Sequence, residues 1–437
     1  MANGATHDAY AALRYPGYRR LWGAMISSAI ALEMLTVAVG WELYERTGSK
    51  AALGYVGLVQ FLPVLLLSLP AGHAADRFSR KWQFVGSQFL AAFTTVGLGV
   101  LSSWQGPIPL IYVGLTTLGV ARAFISPARS ALLTQLVPRE VLSNAVAWNS
   151  GGWQIAATLG PTLGGALIAW LGRVSDVYHI AATLSGISAL LVANTTPRPV
   201  ERATGAHDFA ALAAGVKFVW TTRLILATIT LDLFAVLLGG AVALLPVYAK
   251  DILHVGPTGF GWLRAAPSVG AIIMALALAH RPPLKRAGPT LMLSVAGFGV
   301  ATIVFGISRN AYLSFAALAI SGALDNISIV VRGTLVQLMT PEVMRGRVSA
   351  VTTIFIVCSN ELGAFESGIA AEWLGTVPSV VIGGIGTLVV VGVVSQIFPE
   401  LRKLGALMPA EPKSHAQPAT MPLGATDLGE ARDEATS

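Results

Sequence analysis

Long apolar runs alternate with short charged joints along most of this chain. Ala51 to Ala71 carries no ionised group, and neither does Trp82 to Leu101. About 20 apolar residues at a 1.5 Å rise match a hydrocarbon core of roughly 30 Å. Each run therefore predicts a helix that crosses a bilayer. The pattern predicts about twelve, at roughly 21–43, 51–71, 82–102, 107–127, 145–171, 176–194, 224–248, 258–279, 289–308, 311–332, 347–373 and 378–398.

The joints alternate in charge. Arg14, Arg19 and Arg20 precede the first span, Arg77, Arg80 and Lys81 follow the second, and Arg129 and Arg139 follow the fourth. Arg198, Arg202 and Lys217 separate the sixth from the seventh. Arg281, Lys285 and Arg286 follow the eighth, Arg345 and Arg347 the tenth, and Arg402 and Lys403 the last. The intervening joints 102–109 and 375–378 carry no charge. Basic residues stay on the cytoplasmic side, so both termini are expected there.

The spans repeat. A shift of 203 residues lays Trp170-Leu171-Gly172 on Trp373-Leu374-Gly375, and also pairs Gly119 with Gly322, Arg129 with Arg332, Gly160 with Gly363 and Gly165 with Gly368. One residue more pairs Gly57 with Gly261, Pro63 with Pro267 and Arg77 with Arg281. Six spans repeated as six in the same orientation predict two bundles related by an axis along the membrane normal, with a site between them near the midplane. The expected organisation is a six-helix bundle over 1–195, a cytoplasmic linker over 196–222, a second bundle over 223–400 and a disordered tail over 401–437. Within the linker, 210–222 reads as a surface helix.

Composition agrees. Of 437 residues 54% are hydrophobic and only 12% charged, against roughly 25% charged in soluble domains. The net charge of +7 lies mostly in the joints and reads as an orientation signal rather than a nucleic-acid surface. Cys358 is the single cysteine, which excludes a disulfide framework. No G-x-x-x-x-G-K, H-E-x-x-H or C-x-x-C pattern occurs, which disfavours ATP hydrolysis and zinc chemistry. No cofactor, metal or enzymatic activity is expected.

Two short motifs narrow the reading. Gly72-His73-Ala74-Ala75-Asp76-Arg77-Phe78-Ser79-Arg80-Lys81 joins spans two and three and resembles the G-x-x-x-D-R-x-G-R-K loop of the major facilitator superfamily, with Ser79 in place of a glycine. The resemblance implies an all-α membrane fold of twelve helices in two six-helix bundles. It also implies that Gly72, Asp76, Arg77, Arg80 and Lys81 form a cytoplasmic gate in which Asp76 meets the start of helix 11. The repeat places His280 where a second Asp76 would stand, so a single latch is expected. In span five, Gly152, Ala156, Gly160 and Gly164 recur every four residues, leaving a nearly bare helix face. The Gly160-Pro161-Thr162-Leu163-Gly164-Gly165 run resembles the G-P-x-x-G-G motif of the superfamily's exporters, which is associated with proton-coupled antiport. Plain helix packing is the alternative. Residues 337–347 resemble the loop before helix 11 in siderophore and drug exporters of the enterobactin-exporter type. Membership of that subgroup implies the bacterial inner membrane.

Ionisable groups inside spans need a reason, because each costs at least about 2.5–3.5 kcal/mol to insert. Glu33, Arg122, Asp232 and Asp325 fall in spans one, four, seven and ten, which line the cavity in the fold this chain resembles. Asn326 adjoins Asp325, and span eleven adds Asn360, Glu361 and Glu366. Glu33 has three open readings: a proton carrier, an ion pair with Arg122, or a substrate contact. Asp232 and Asp325 share the first two. Glu361 is expected to face the cavity and Glu366 to point away, with Arg264 as a partner for one of them. Asn149, Gln154, Trp148 and Trp153 are further lining candidates, though packing is the more economical reading of the aromatics.

The expected function is proton-coupled export of a hydrophobic or amphipathic small molecule, a siderophore or drug, by alternating access. The alternative is a lysophospholipid transporter of the same fold without proton coupling. The partners are then the substrate, protons and the lipid bilayer, with no nucleic acid, and the protein is expected to be a monomer.

Overall fold

A computed structural model describes residues 8–198, 209–281 and 285–405, with the backbone alone for Leu69, Asp76 and 209–212. The polar part of the expected linker, 199–208, and the expected disordered tail from 406 onward lie outside the described residues.

Twelve helices in the described chain are long and apolar enough to cross a membrane. The first six are α1 (Pro16–Thr47), α2 (Lys50–Arg77), α3 (Arg80–Ser103), α4 (Ile108–Leu136), α5 (Leu142–Leu171) and α6 (Val174–Ala193). A shorter helix, α7 (Phe209–Thr221), follows. The second set is α8 (Arg223–Leu238), α9 (Gly256–Ala279), α10 (Ala287–Ile307), α11 (Ala311–Met339), α12 (Glu342–Leu374) and α13 (Thr376–Ile397). In the first bundle α1 packs on α5 and α6, α3 on α4 and α6, and α2 on α4. In the second, α11 packs on α9 and α10, α10 on α13, and α8 on α12 and α13. With an even number of spans, the described chain begins and ends on one face, called the terminal face below; the far face lies opposite.

Two details differ from the sequence expectation. The Gly72–Lys81 stretch is not a loop. Gly72 to Arg77 complete α2, Arg80 and Lys81 begin α3, and only Phe78 and Ser79 leave the helix. Ser79 sits at φ −65° and ψ 113°, ordinary extended backbone that requires no glycine. Span seven is also not continuous. α8 ends at Leu238, and the chain reaches Ile252 through a 3₁₀ turn (Ala241–Leu244), a single α turn holding Pro246, and a π turn (Tyr248–Ile252). The break falls where the chain passes close to α12: a Cβ on Gly240 would stand 2.6 Å from the carbonyl oxygen of Gly363. Close crossing needs a bare backbone, and glycine weakens the helix there.

The bundles meet along two seams, α2 against α12 and α5 against α9. Each seam sets glycine on glycine. A Cβ on Gly368 would come within 2.7 Å of Gly54 Cα, and one on Gly165 within 3.0 Å of Gly261 Cα. The contacts lie in the far-face halves of all four helices. The largest apolar cluster bridges the bundles at that end, with Val37, Trp41 and Tyr44 of α1 beside Leu244, Tyr248 and Phe260. Toward the terminal face, α2 exposes Leu62 and Leu66 and α5 exposes Trp153. The bundles are thus closed against each other at the far face. α7 does not lie free. Val219 is buried, and Gly215 faces the Arg347 carbonyl at the start of α12.

Candidate substrate and charge site

The intramembrane charges divide between two places. The first is at the bundle interface, about midway along the helices. Glu33 on α1 pairs with Arg264 on α9, Oε2 to Nε 3.6 Å, with both side chains mostly buried. Arg122 on α4 donates to Gln60 Oε1 on α2 at 3.2 Å. Glu361 on α12 lies within electrostatic reach of both Arg122 and Arg264. Of the readings open for Glu33, the ion pair with Arg122 is not formed; the pair is with Arg264. Arg264 is carried on the helix that α5 packs against, and α5 also carries the glycine face on which Glu33 rests.

The arrangement is crossed and balanced. The first bundle supplies Glu33 and Arg122, the second Arg264 and Glu361, and the acid of each lies toward the base of the other. Desolvation of two charges is offset only when they keep partners. Glu33 keeps its partner on the opposite bundle and Glu361 lies near bases of both bundles, so relative motion of the bundles changes the surroundings of both carboxylates.

Glycines shape this site. A Cβ on Gly160 would lie 2.5 Å from Glu33 Cβ, and one on Gly57 would lie 2.9 Å from Glu361 Oε2. Gly160 thus gives Glu33 its place on α5. Gly164 does the same for the α1 backbone, since its Cβ would stand 3.2 Å from Met34 Cα. Pro161 and Gly165 belong to the α5–α9 seam: Pro161 carbonyl oxygen would be 2.4 Å from a Cβ on Gly261.

The second place is inside the second bundle. Asp232 on α8 is buried and ion-paired with Arg332 on α11. Asp325, two turns before Arg332 on the same side of α11, lines a small cavity with Asp232, Ser294 and Ser328 between α8, α10 and α11. Asp232 and Asp325 therefore do not share the interface cluster, contrary to the expectation that four cavity helices present one charge each to a common space. These two side chains lie inside the second bundle, beside Ser294 of α10. Asn326 keeps a buried Oδ1 without a hydrogen-bond partner.

The remaining candidates are placed as follows. Glu366 accepts a hydrogen bond from Ser367 at 3.3 Å, and the amide of Asn360 donates to the Ile356 carbonyl at 2.8 Å. Asn149 Oδ1 lies 3.0 Å from the Tyr18 hydroxyl. Trp148 packs against Tyr10 and Trp22 and donates to the Ala9 carbonyl, so it is a packing residue. Gly72 is buried, Arg77 is exposed, Arg80 Nε donates to the Ala75 carbonyl at 3.3 Å, and Lys81 donates to the Thr195 carbonyl at 2.8 Å. Asp76 occupies the last turn of α2, and its side chain lies outside what is described.

Sequence reasoning missed Glu42. It is buried at the far-face end of α1, paired with Arg46 at 3.0 Å and accepting from the Tyr178 hydroxyl at 2.8 Å. Arg46 also donates to the carbonyls of Gln105 and Gly106. The i,i+4 spacing of Glu42 and Arg46 was the available signal.

Twelve helices in two repeated bundles, with a charged site between them, define a membrane transporter of the major facilitator superfamily. Residues 7–425 match the family described as transmembrane secretion effector, and the chain belongs to that family. It is 27% identical over 396 residues to the enterobactin exporter EntS of Citrobacter koseri, covering 89% of this chain and 93% of that protein. It is 27% identical over 401 residues to EntS of Shigella flexneri, with the same coverage. Among solved structures, a bacterial homologue of the human lysosomal transporter Spinster, in an inward-facing and occupied conformation, superposes with TM-score 0.71 at 14% identity, over 89% of this chain and 98% of that one. The nucleoside transporter NupG gives TM-score 0.68 at 13% identity, over 89% and 99%.

Proposed function

We propose that this protein is a proton-coupled exporter of a hydrophobic or amphipathic small molecule, a siderophore or a drug, working by alternating access in the bacterial inner membrane. In this reading the terminal face is cytoplasmic and the protein acts as a monomer. The crossed cluster of Glu33, Arg264, Arg122 and Glu361 carries the proposal. A carboxylate whose partner sits on the opposite bundle changes its surroundings whenever the bundles rock, which is the coupling an antiporter needs. The exporter relatives support the direction and the siderophore class. The Gly72–Lys81 segment then serves as the cytoplasmic gate that closes when the far face opens, with Asp76 meeting the N-terminus of α12.

The test uses everted membrane vesicles with an acidic lumen, to which catecholate siderophores, macrolides or lysophospholipids are added. Substrate-induced proton efflux from the lumen is expected with at least one siderophore or macrolide. Glu33→Gln should abolish that efflux, and Asp76→Asn should slow it. Efflux retained in Glu33→Gln would move the proton to Asp232 or Asp325. Movement of lysophospholipid without any proton flux would replace this reading with the uncoupled lipid transporter.

A further inference from the structure

The far-face closure contains a feature that the repeat does not explain. Glu372, in the last turn of α12, reaches across to the first turn of α2. One carboxylate oxygen accepts from the Lys50 backbone N–H at 2.7 Å, from the Ala51 N–H at 3.0 Å and from the Ser49 hydroxyl at 3.2 Å. Lys50 Nζ returns a bond to the Ala371 carbonyl at 3.3 Å. The first N–H groups of a helix have no partner within it, and the helix dipole favours an anion there. In most helices a residue of the same segment fills that role. Here Ser49 caps only Ala52, and the rest of the cap comes from the other bundle.

The two seams are not equivalent in this respect. The repeat that lays Trp170 on Trp373 puts Ala169 where Glu372 stands, and the N-terminus of α9 has no side-chain cap. Among the described residues no hydrogen bond or ion pair joins α5 to α9, which meet through glycines. The α2–α12 seam adds charge-assisted hydrogen bonds that exist only while the far face is shut.

We infer that Glu372 is a one-sided latch, a trans cap on α2 that holds the transporter closed at the far face and must release before substrate leaves there. The inference rests on alternating access but on neither the substrate nor the proton site. It predicts a shift in the conformational equilibrium when either half of the cap is removed. Glu372→Ala removes the acceptor. Lys50→Pro removes the shortest donor with little cost to α2, because proline is well suited to the first helical position and Ser49 already has the extended backbone that precedes proline.

The measurement is the distance between spin labels on Ser103→Cys and Arg309→Cys, one exposed far-face site on each bundle, in full-length protein carrying Cys358→Ser. Double electron–electron resonance is recorded in lipid nanodiscs. Each variant is expected to raise the far-face-open population about fivefold or more, and the double variant should add little to either. Gly54→Trp serves as a positive control, since even a Cβ at this position would lie 2.9 Å from the Phe365 carbonyl and the seam cannot close over an indole. An unchanged distribution in Glu372→Ala, while Gly54→Trp widens it, would overturn the latch. If Glu372→Ala fails to fold, Lys50→Pro alone decides: a wider distribution supports the latch and an unchanged one removes it.

Discussion

At the scale of single residues, partners mattered more than positions. Glu33 stood out in the sequence because an acid in a membrane span is costly. Its partner was unreadable, because Arg264 lies in the other repeat and meets Glu33 only through the α5–α9 seam. Asp232 was equally visible, but Arg332, the last residue of an expected span, was read only as the repeat counterpart of Arg129. Glu42 was hidden for the same reason, with Arg46 one turn on at the helix end. The structure shows that Glu42 is fully committed, to Arg46 and to the Tyr178 hydroxyl. Arg46→Ala would leave a buried carboxylate with one partner fewer and should cost about 3 kcal/mol. Adding Glu42→Gln should restore most of that loss, since the amide can still accept from Tyr178. Thermal unfolding of purified protein in detergent checks both statements, and a single variant as stable as wild type would show that the network is ornamental.

At the scale of helices, the periodicity of apolar runs located every span, because the bilayer demands length and apolarity whatever the packing. What it could not give was the irregular course of span seven. Gly239-Gly240 and Pro246 weaken a helix over 224–248, but the close crossings that use those glycines show only when α12 and α13 are laid against it, with Gly383 so near that a Cβ would stand 2.1 Å from the Leu238 carbonyl. The glycines of α5 were legible as a bare face but not in their separate tasks. Gly160 and Gly164 admit α1, whereas Gly165 admits α9. A methyl group on Gly160 would meet Glu33 Cβ at 2.5 Å and the Ile30 carbonyl at 3.1 Å, so α1 must move or Glu33 must turn. Gly160→Ala is therefore expected to lower substrate-driven proton flux at least about tenfold, equivalent to roughly 1.4 kcal/mol, by displacing Glu33 from Arg264. Gly97→Ala is the matched control, since nothing lies within 4 Å of its new Cβ. Transport by the Gly97 variant should equal that of wild type; equal transport by both variants would mean that Gly160 does not position Glu33.

At the scale of the whole molecule, the argument for rocking is that one set of contacts closes one end. The cap on α2, the Tyr44 hydroxyl on Asp251, the Trp41–Phe260 stack and both glycine seams all lie toward the far face. A transporter that alternates must break all of them in each cycle, and this demand can be tested directly. A Cβ on Gly57 of α2 would lie 3.4 Å from Ala364 Cβ of α12, close to the 3.5–4.5 Å spacing of a disulfide. Gly57→Cys with Ala364→Cys, in a Cys358→Ser background, should cross-link under mild oxidant and hold the α2–α12 seam shut. Proton flux and substrate movement should then fall to the background of empty vesicles and return on reduction. The Cβ at position 57 also approaches the Glu361 carboxylate at 2.9 Å, so the reduced double variant, not wild type, is the reference. A cross-linked protein that moved substrate as fast as its reduced form would mean that the seam never opens. Substrate would then leave by another path, and the crossed charges between the bundles would have to be read as a static brace.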